Sequence, residues 1–252
     1  MTINGKKIFD YDFIKQEFVH KNMASINQGK LNLEFRGKEL SVLRYIVNNT
    51  ELPQSSPLRK LIAFVAGMLW FCRTDEANNF MGFKDYSMTG NIIKDIIDNK
   101  LTADFDMFLK TAGIKEHVVE KQNTDGSIGI YFKHRDQYLP FAVASSGTKA
   151  LLLFYAWYKK FADASFVIID EFDAFYHYAL ADRIVRLLVE RTELQVLLTS
   201  HNINLLSTRL MRPDCLFVLN EKGLESFANS TKRELRQGNN LEKLYIGGEF
   251  GE

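Results

Sequence analysis

The order of apolar and polar residues divides the chain into two parts. Residues 1–140 combine short alternating segments, such as Leu31 to Arg36, with helical stripes, such as Ile92 to Ile97. A period of two predicts strands, and a spacing of three and four residues predicts helices. Asn4-Gly5 is typical of a hairpin turn. This part is therefore predicted to be a mixed region of strands and helices.

One apolar run within this region stands out by its length. Ser56 and Pro57 are suited to the N-cap and the first position of a helix, and residues 58–71 are apolar around most of the helical circumference. The pattern predicts a single buried helix that begins at Pro57 and continues to Phe71.

From residue 141 the pattern becomes an alternation of strands and helices. A helix is predicted after Gly147, and an amphipathic helix over Ala179 to Arg191. The predicted buried strands are Phe166–Ile169, Val196–Leu198 and Leu216–Leu219. Such alternation is typical of an α/β fold with a parallel sheet covered by helices. We therefore expect two domains, a mixed region over 1–140 and an α/β lobe over 141–252.

Composition narrows the choice of protein class. The 252 residues are 46% hydrophobic and 25% charged, as in ordinary globular proteins, and the formal net charge is +1. The net charge therefore gives the chain no strong overall electrostatic attraction to nucleic acid or to an anionic membrane. Two distant cysteines, no signal sequence and no membrane-length apolar run predict a cytoplasmic protein.

Two acids follow the first predicted strand of the α/β lobe. Asp170 and Glu171 stand where the run Phe166–Ile169 leaves the sheet. Ligands gather at the carboxyl ends of parallel strands, where Asp170 is placed to hold Mg²⁺ and Glu171 to polarise a water. A buried strand that simply ends in two solvated acids explains this pair equally well.

Two further segments have the right residue types for phosphate chemistry. Ser145, Ser146 and Gly147 are small and precede a helix, whose free N–H groups favour an anion. Ser145 or Ser146 acting only as an N-cap explains the same pattern. His201 directly follows the predicted strand Val196–Leu198 and is placed to reach a phosphate oxygen. His117 and His134 have no such setting and are interpreted as structural.

The order of the three segments is more specific than any one of them. The small-residue loop is followed about 20 residues later by the two acids, and about 30 residues after that by the histidine. This order resembles the ATP-binding-cassette ATPases, in the branch of SMC-type proteins, OLD-like ATPases and bacterial abortive-infection ATPases. Residues 170–177 resemble the Asp-Glu-x-Asp-x-x-x-His-Pro run of that branch, with Tyr178 in place of proline, and residues 241–251 resemble its closing segment.

The resemblance implies a dimer in which ATP and Mg²⁺ lie between subunits. Ser145, Ser146 and Gly147 correspond to the signature loop, which contacts the γ-phosphate across the interface. The resemblance makes Asp170 the Walker B ligand of magnesium. It makes Glu171 the general base and His201 a contact of the γ-phosphate.

The family's phosphate-cradling loop, G-x-x-x-x-G-K-[ST], does not occur in the 252 residues. We therefore expect ATP hydrolysis only where a Walker A-bearing lobe, from a missing segment or another chain, completes the site. A non-catalytic scaffold that keeps the ATPase fold is the alternative. A nuclease is a third hypothesis, with Asp104 and Asp106 as its only paired acids, which are interpreted instead as a solvated helix face. Nucleic-acid binding and phage defence rest on the family resemblance alone, and the net charge gives the former no support.

Overall fold

The computed structural model of the chain describes residues 1–22, 41–49, 51–73, 78–82, 91–221 and 223–250. The strand predicted over Leu31 to Arg36 lies outside these residues. The helices are α1 (Val42–Asn48), α2 (Pro57–Ala66), α3 (Ile92–Asp98), α4 (Thr102–Thr111), α5 (Ser146–Tyr158), α6 (Tyr178–Val189) and α7 (Leu241–Ile246). The strands are β1 (Thr2–Ile3), β2 (Lys6–Lys7), β3 (Phe9–Asp12), β4 (Glu17–Lys21), β5 (Met68–Arg73), β6 (Asn78–Gly82), β7 (His117–Gln122), β8 (Ile128–His134), β9 (Gln137–Pro140), β10 (Phe166–Asp170), β11 (Gln195–Leu198), β12 (Phe217–Asn220) and β13 (Gly223–Ser226).

The chain divides by its internal contacts into two compact units, Met1–Met68 and Leu69–Glu252. The first unit contains two antiparallel hairpins, β1–β2 and β3–β4, together with α1 and α2. Asn4 and Gly5 have φ angles of 48° and 76°, which confirms the predicted turn between β1 and β2. The functional division at residue 140 stays a prediction.

The helix predicted over residues 57–71 is wrong in its length and its burial. Pro57 does open α2, but Gly67 caps it, and β5 begins at the next residue. Residues from 68 onward alternate, with Leu69 and Phe71 buried and the residues between them partly exposed, and this period of two favours a strand. Within α2 only Leu58 is fully buried, and Ser56 makes no side-chain capping bond.

The second unit is built on a mixed sheet with the order β11-β10-β5-β6. β10 and β11 are parallel, with Phe166 opposite Gln195 and Ile169 opposite Leu198, whereas β5 and β6 are antiparallel. Helices α5 and α6 contribute their buried faces to the same hydrophobic core as β10. This confirms the predicted α/β class, with a parallel pair and flanking helices.

Two antiparallel elements accompany this sheet. Strands β7, β8 and β9 form a three-stranded sheet, and β12 and β13 form a hairpin. The segment Leu216–Leu219, predicted as a third buried strand, pairs antiparallel with β13 instead. Leu216 is buried, but Phe217 and Leu219 are 50% and 78% exposed, so the prediction that the whole segment is buried was wrong. No helix in the described residues is long and apolar enough to cross a membrane.

Candidate functional site

The two candidate acids lie at the carboxyl end of β10. Asp170 is the last residue of the strand, and Glu171 begins the turn that follows it. Glu171 has a φ of 47°, in the left-handed region that residues with a side chain rarely adopt. Such strain persists where surrounding contacts hold it in place, and it is common at functional sites.

A hydroxyl from the neighbouring strand holds both acids in place. Thr199 follows β11, and its Oγ1 donates a hydrogen bond to Oδ1 of Asp170 over 2.5 Å. The same oxygen accepts a hydrogen bond of 2.8 Å from the backbone N–H of Glu171. The parallel register of β10 and β11 brings these residues together, because Ile169 and Leu198 are direct neighbours.

The histidine candidate lies beside the acid predicted to be the base. Nε2 of His201 is 3.9 Å from Oε1 of Glu171, which is beyond hydrogen-bond distance. The side chain of His201 is 95% exposed. Next to it, Ser200 donates a hydrogen bond of 2.8 Å to Asp173, which ties the segment after β11 to the turn after β10. An exposed imidazole beside a carboxylate is accessible to an incoming anion.

The signature-like loop forms the N-terminus of α5. Ser145 is the N-cap, and its Oγ accepts a hydrogen bond of 3.2 Å from the N–H of Thr148. The capping role that the sequence left open is therefore present. Ser145 and Ser146 are nevertheless exposed. A Cβ on Gly147 would lie 3.5 Å from the carbonyl oxygen of Phe175, so this loop lies against the turn that follows Glu171.

The space between α5 and the end of β10 is a small pocket. Its lining residues are Ala150, Leu153, Trp157, Asp170, Glu171, Phe172, Phe175 and Tyr176. Tyr176 donates a hydrogen bond of 3.2 Å to the carbonyl oxygen of Ala150, which joins its two walls. The indole N–H of Trp157 is buried and has no hydrogen-bond partner among the described residues. Partial burial, followed by the charges of Asp170 and Glu171, raises the pKa of the nearby Cys72 thiol.

Sequence reasoning missed Thr199, Trp157 and Cys72. Thr199 carried a usable signal, because it stands two residues before His201 at the end of a predicted strand. Trp157 and Cys72 lie in apolar runs that indicate only a core. Their proximity to the acids depends on how α5 and β5 pack against β10.

Asp170 and Glu171 suit magnesium better than a metal ion that is coordinated by protein side chains alone. The described residues contain no group of three or more His, Cys, Asp or Glu side chains placed to share an ion. Magnesium usually needs only one or two carboxylates, with water and phosphate oxygens completing its shell. Asp170 uses Oδ1 for Thr199, and its second oxygen is available for this purpose.

The alternative acid pair has a structural role. Asp106 accepts hydrogen bonds from the N–H of Val118 at 2.7 Å, from Lys110 at 3.0 Å and from His117 at 3.2 Å. Asp104 accepts hydrogen bonds from Tyr155 and from Lys159. These bonds join α4 to β7 and to α5. Asp104 is exposed, as expected of a solvated face, whereas the side chain of Asp106 is only 20% exposed. Nothing in these contacts favours a nuclease site.

A comparison with known protein families gives a match over most of the chain. A family model described as "AAA domain, putative AbiEii toxin, Type IV TA system" matches residues 10–207. No significant match is found among curated proteins.

Several solved SMC heads resemble part of the chain. An Smc head bound to the C-winged helix domain of ScpA has 21% identity and a TM-score of 0.34, over 43% of this chain and 37% of that one. The SMC head domain from Thermotoga maritima has 21% identity and a TM-score of 0.34, over 61% of this chain and 53% of that one. A structure from work on ATP-driven dimerization and DNA-stimulated activation of SMC ATPases has 18% identity and a TM-score of 0.40, over 62% and 96%.

The chain thus spans between about a third and a half of the first two structures. With TM-scores of at most 0.40, these likenesses support no further conclusion. The family model covers well over half of the sequence and includes the signature-like loop, both acids and His201. The chain belongs to this AAA family of ATPase domains.

Proposed function

We propose that the chain supplies the signature, Walker B and switch-histidine side of an ATP site that lies between two subunits. A Walker A loop on another lobe or chain completes it. The observation that supports this most directly is the convergence of Asp170, Glu171 and His201 at the ends of β10 and β11, where Thr199 bridges the two strands. Family membership implies ATP as the nucleotide.

Each residue has a role suited to its position. Asp170 holds Mg²⁺ through its free oxygen, and the ion supplies charge neutralisation at the phosphates when it is bound. Glu171 accepts a proton from the attacking water, and its backbone lies in the turn that directly follows β10. His201 contacts the γ-phosphate, because its ring is exposed beside Glu171.

The signature loop serves the opposite side of the interface. The exposed hydroxyls of Ser145 and Ser146 and the positive end of the 13-residue helix α5 favour a phosphate from the partner's site. This arrangement makes the active form a dimer or a pair of homologous subunits.

The test is a Glu171→Gln substitution in the complex recovered from the source organism through a tag on this chain. We expect ATP turnover to fall by at least about 100-fold, because the general base is lost, while ATP stays bound and the complex accumulates. Glu190→Gln, an exposed glutamate at the end of α6, is the matched control and is expected to retain turnover.

The same experiment decides between the ATPase and a non-catalytic scaffold. The absence of a G-x-x-x-x-G-K-[ST] loop from the sequence favours the scaffold. If Glu171→Gln changes neither turnover nor assembly relative to Glu190→Gln, the catalytic proposal is wrong. The matching family is described as a putative toxin of a type IV toxin–antitoxin system. A role in phage defence rests on the family resemblance alone, and is tested by whether Glu171→Gln abolishes any protection or growth arrest that the complete system confers.

A further inference from the structure

The three-stranded sheet β7–β8–β9 has two faces of opposite character. Val118, Ile130 and Phe132 are buried on the inner face and belong to the main core. Because side chains alternate along a strand, the neighbours of these residues in sequence point to the other side. The outer-face positions are His117, Val119, Lys121, Gly129, Tyr131, Lys133, Tyr138 and Pro140.

The outer face carries cations and tyrosines but no carboxylate. The pairing places His117, Lys133 and Tyr138 in one row across the sheet, and Val119, Tyr131 and Pro140 in the next. Lys121 and Lys133 are exposed, and no described carboxylate lies within ion-pair distance of either. His117 differs, because it is already paired with Asp106.

The one acid within these strands points away from this face. Glu120 lies between the outward-facing residues Val119 and Lys121, and it accepts a hydrogen bond of 2.5 Å from Thr102 on α4. The outer face is therefore locally positive, although the whole chain carries a net charge of only +1. This asymmetry favours an anionic partner.

The tyrosine rings of this face contact their neighbours on the sheet. A Cβ on Gly129 would lie 3.2 Å from Cε2 of Tyr131, so the ring occupies the space that a side chain at Gly129 would take. The hydroxyl of Tyr131 donates a hydrogen bond to Asn123, which fixes the far end of the ring. Nζ of Lys121 lies 4.5 Å from the ring centre of Tyr138 and 5.7 Å from that of Tyr131.

We infer that this outer face, which we call the Lys–Tyr face, binds single-stranded nucleic acid. Bases displace the ammonium of Lys121 from above the rings of Tyr131 and Tyr138 and stack on them, and the phosphates pair with the released Lys121 and with Lys133. Rows of aromatic and basic side chains on an open sheet suit unpaired bases, whose faces are accessible, better than a duplex, whose bases are already stacked. This binding does not depend on the proposed ATP site.

The experiment measures fluorescence anisotropy of a labelled 20-nucleotide single strand, as DNA and as RNA, with the full chain. The duplex of the same sequence and a polyglutamate competitor serve as comparisons. We expect at least one single strand to bind more tightly than the duplex. The affinity should fall with salt at a logarithmic slope of about −1.4, because two lysines release counterions from a single strand.

Variants separate charge from stacking. The double change Lys121→Glu and Lys133→Glu should weaken binding at least tenfold and flatten the salt dependence. Tyr138→Ala should weaken it by about fivefold or more and leave the salt slope unchanged, because it removes one stacked base. The matched control for charge is Lys94→Glu with Lys232→Glu, two exposed lysines that lie outside the Lys–Tyr face.

Several outcomes would overturn the inference. The first is that no single strand binds at 50 mM salt, and the second is that the duplex binds as tightly as the single strand or more tightly. The third is that the two double lysine variants weaken binding equally. The fourth is that polyglutamate displaces the single strand while Tyr138→Ala binds it with unchanged affinity. Circular dichroism of each variant shows whether the sheet remains folded, so a loss of binding with an intact spectrum is assigned to the face itself.

Discussion

Thr199 is the residue on which the geometry of the candidate site depends most. One hydroxyl donates to Asp170 and accepts from the backbone N–H of Glu171, so it holds the Asp170 carboxylate and the strained turn at Glu171 together. A side chain that only filled the same volume would leave both groups without this partner. Hydrogen bonds to charged groups contribute about 1.5–3 kcal/mol each to stability.

We expect Thr199→Val to lower the free energy of unfolding by about 1–3 kcal/mol, whereas Thr199→Ser, which keeps the hydroxyl, should lose less. Urea denaturation followed by circular dichroism measures both variants. If the valine and serine variants have the same stability, the bridging hydroxyl is not what holds this turn.

The motif residues themselves were predictable because their chemistry is local. An apolar run that ends in Asp-Glu, and a histidine directly after another such run, identify strand ends whatever the rest of the fold does. Ser145 is the instructive case, since the residue acts as an N-cap and remains exposed. The local sequence pattern is compatible with an N-cap and with a phosphate contact, and it does not distinguish between them.

At the scale of elements, two carboxylates join α4 to its neighbours. Asp104 connects α4 with α5 through Tyr155 and Lys159, and Asp106 connects α4 with β7 through the N–H of Val118. Burial by itself raises the pKa of Asp106. The hydrogen bonds from Val118, Lys110 and His117 and the charge of Lys110 outweigh it, so the pKa is lowered overall.

This shift predicts a dependence of stability on pH. A carboxyl group whose pKa is lower in the folded state contributes stability above its unfolded pKa, near 4, and loses it as the pH falls through the folded pKa. Asp106→Asn should therefore destabilise the chain at pH 7 by about 1–3 kcal/mol.

The difference between the variant and the unsubstituted chain should become smaller as the pH falls below the unfolded pKa, near 4, and should vanish only below the lowered folded pKa, where Asp106 is protonated in both states. Thermal unfolding at a series of pH values measures it. A difference that is constant across the series would show that the charge of Asp106 does not contribute.

Element prediction failed where an apolar run contained a change of period. Residues 57–71 form a helix and then a strand, and within this run only Gly67 marks the boundary between them. A strand and a helix of similar hydrophobicity are difficult to separate over so few residues. The pairing of β5 with β6 and its place in the sheet decide the outcome, and these contacts are remote in sequence.

At the scale of the molecule, the hairpin β12–β13 presents an apolar surface. Leu219 and Leu224 are direct cross-strand neighbours, 78% and 62% exposed, and Phe217 on the same face is 50% exposed. A two-stranded hairpin has little stability of its own, and exposed apolar patches commonly mark contact surfaces.

We therefore expect the isolated chain to self-associate at tens of micromolar, as measured by light scattering. The pair Leu219→Asp and Leu224→Lys, opposite charges at facing positions, should reduce this association while keeping the hairpin paired. A monodisperse monomer of the unsubstituted chain would contradict this prediction.

The α/β class, most helices and strands, and the order of the motifs followed from short-range patterns, because propensity and periodicity act over a few residues. Short-range patterns did not predict three features, which are the exposure of β12, the end of α2 and the hydrogen-bond partners of Asp104 and Asp106. Each depends on which surfaces meet after the chain has folded. The same holds for the Lys–Tyr face. The net charge of +1 does not reveal its positive charge, because this face forms only when the sheet brings alternate residues of three strands to one side.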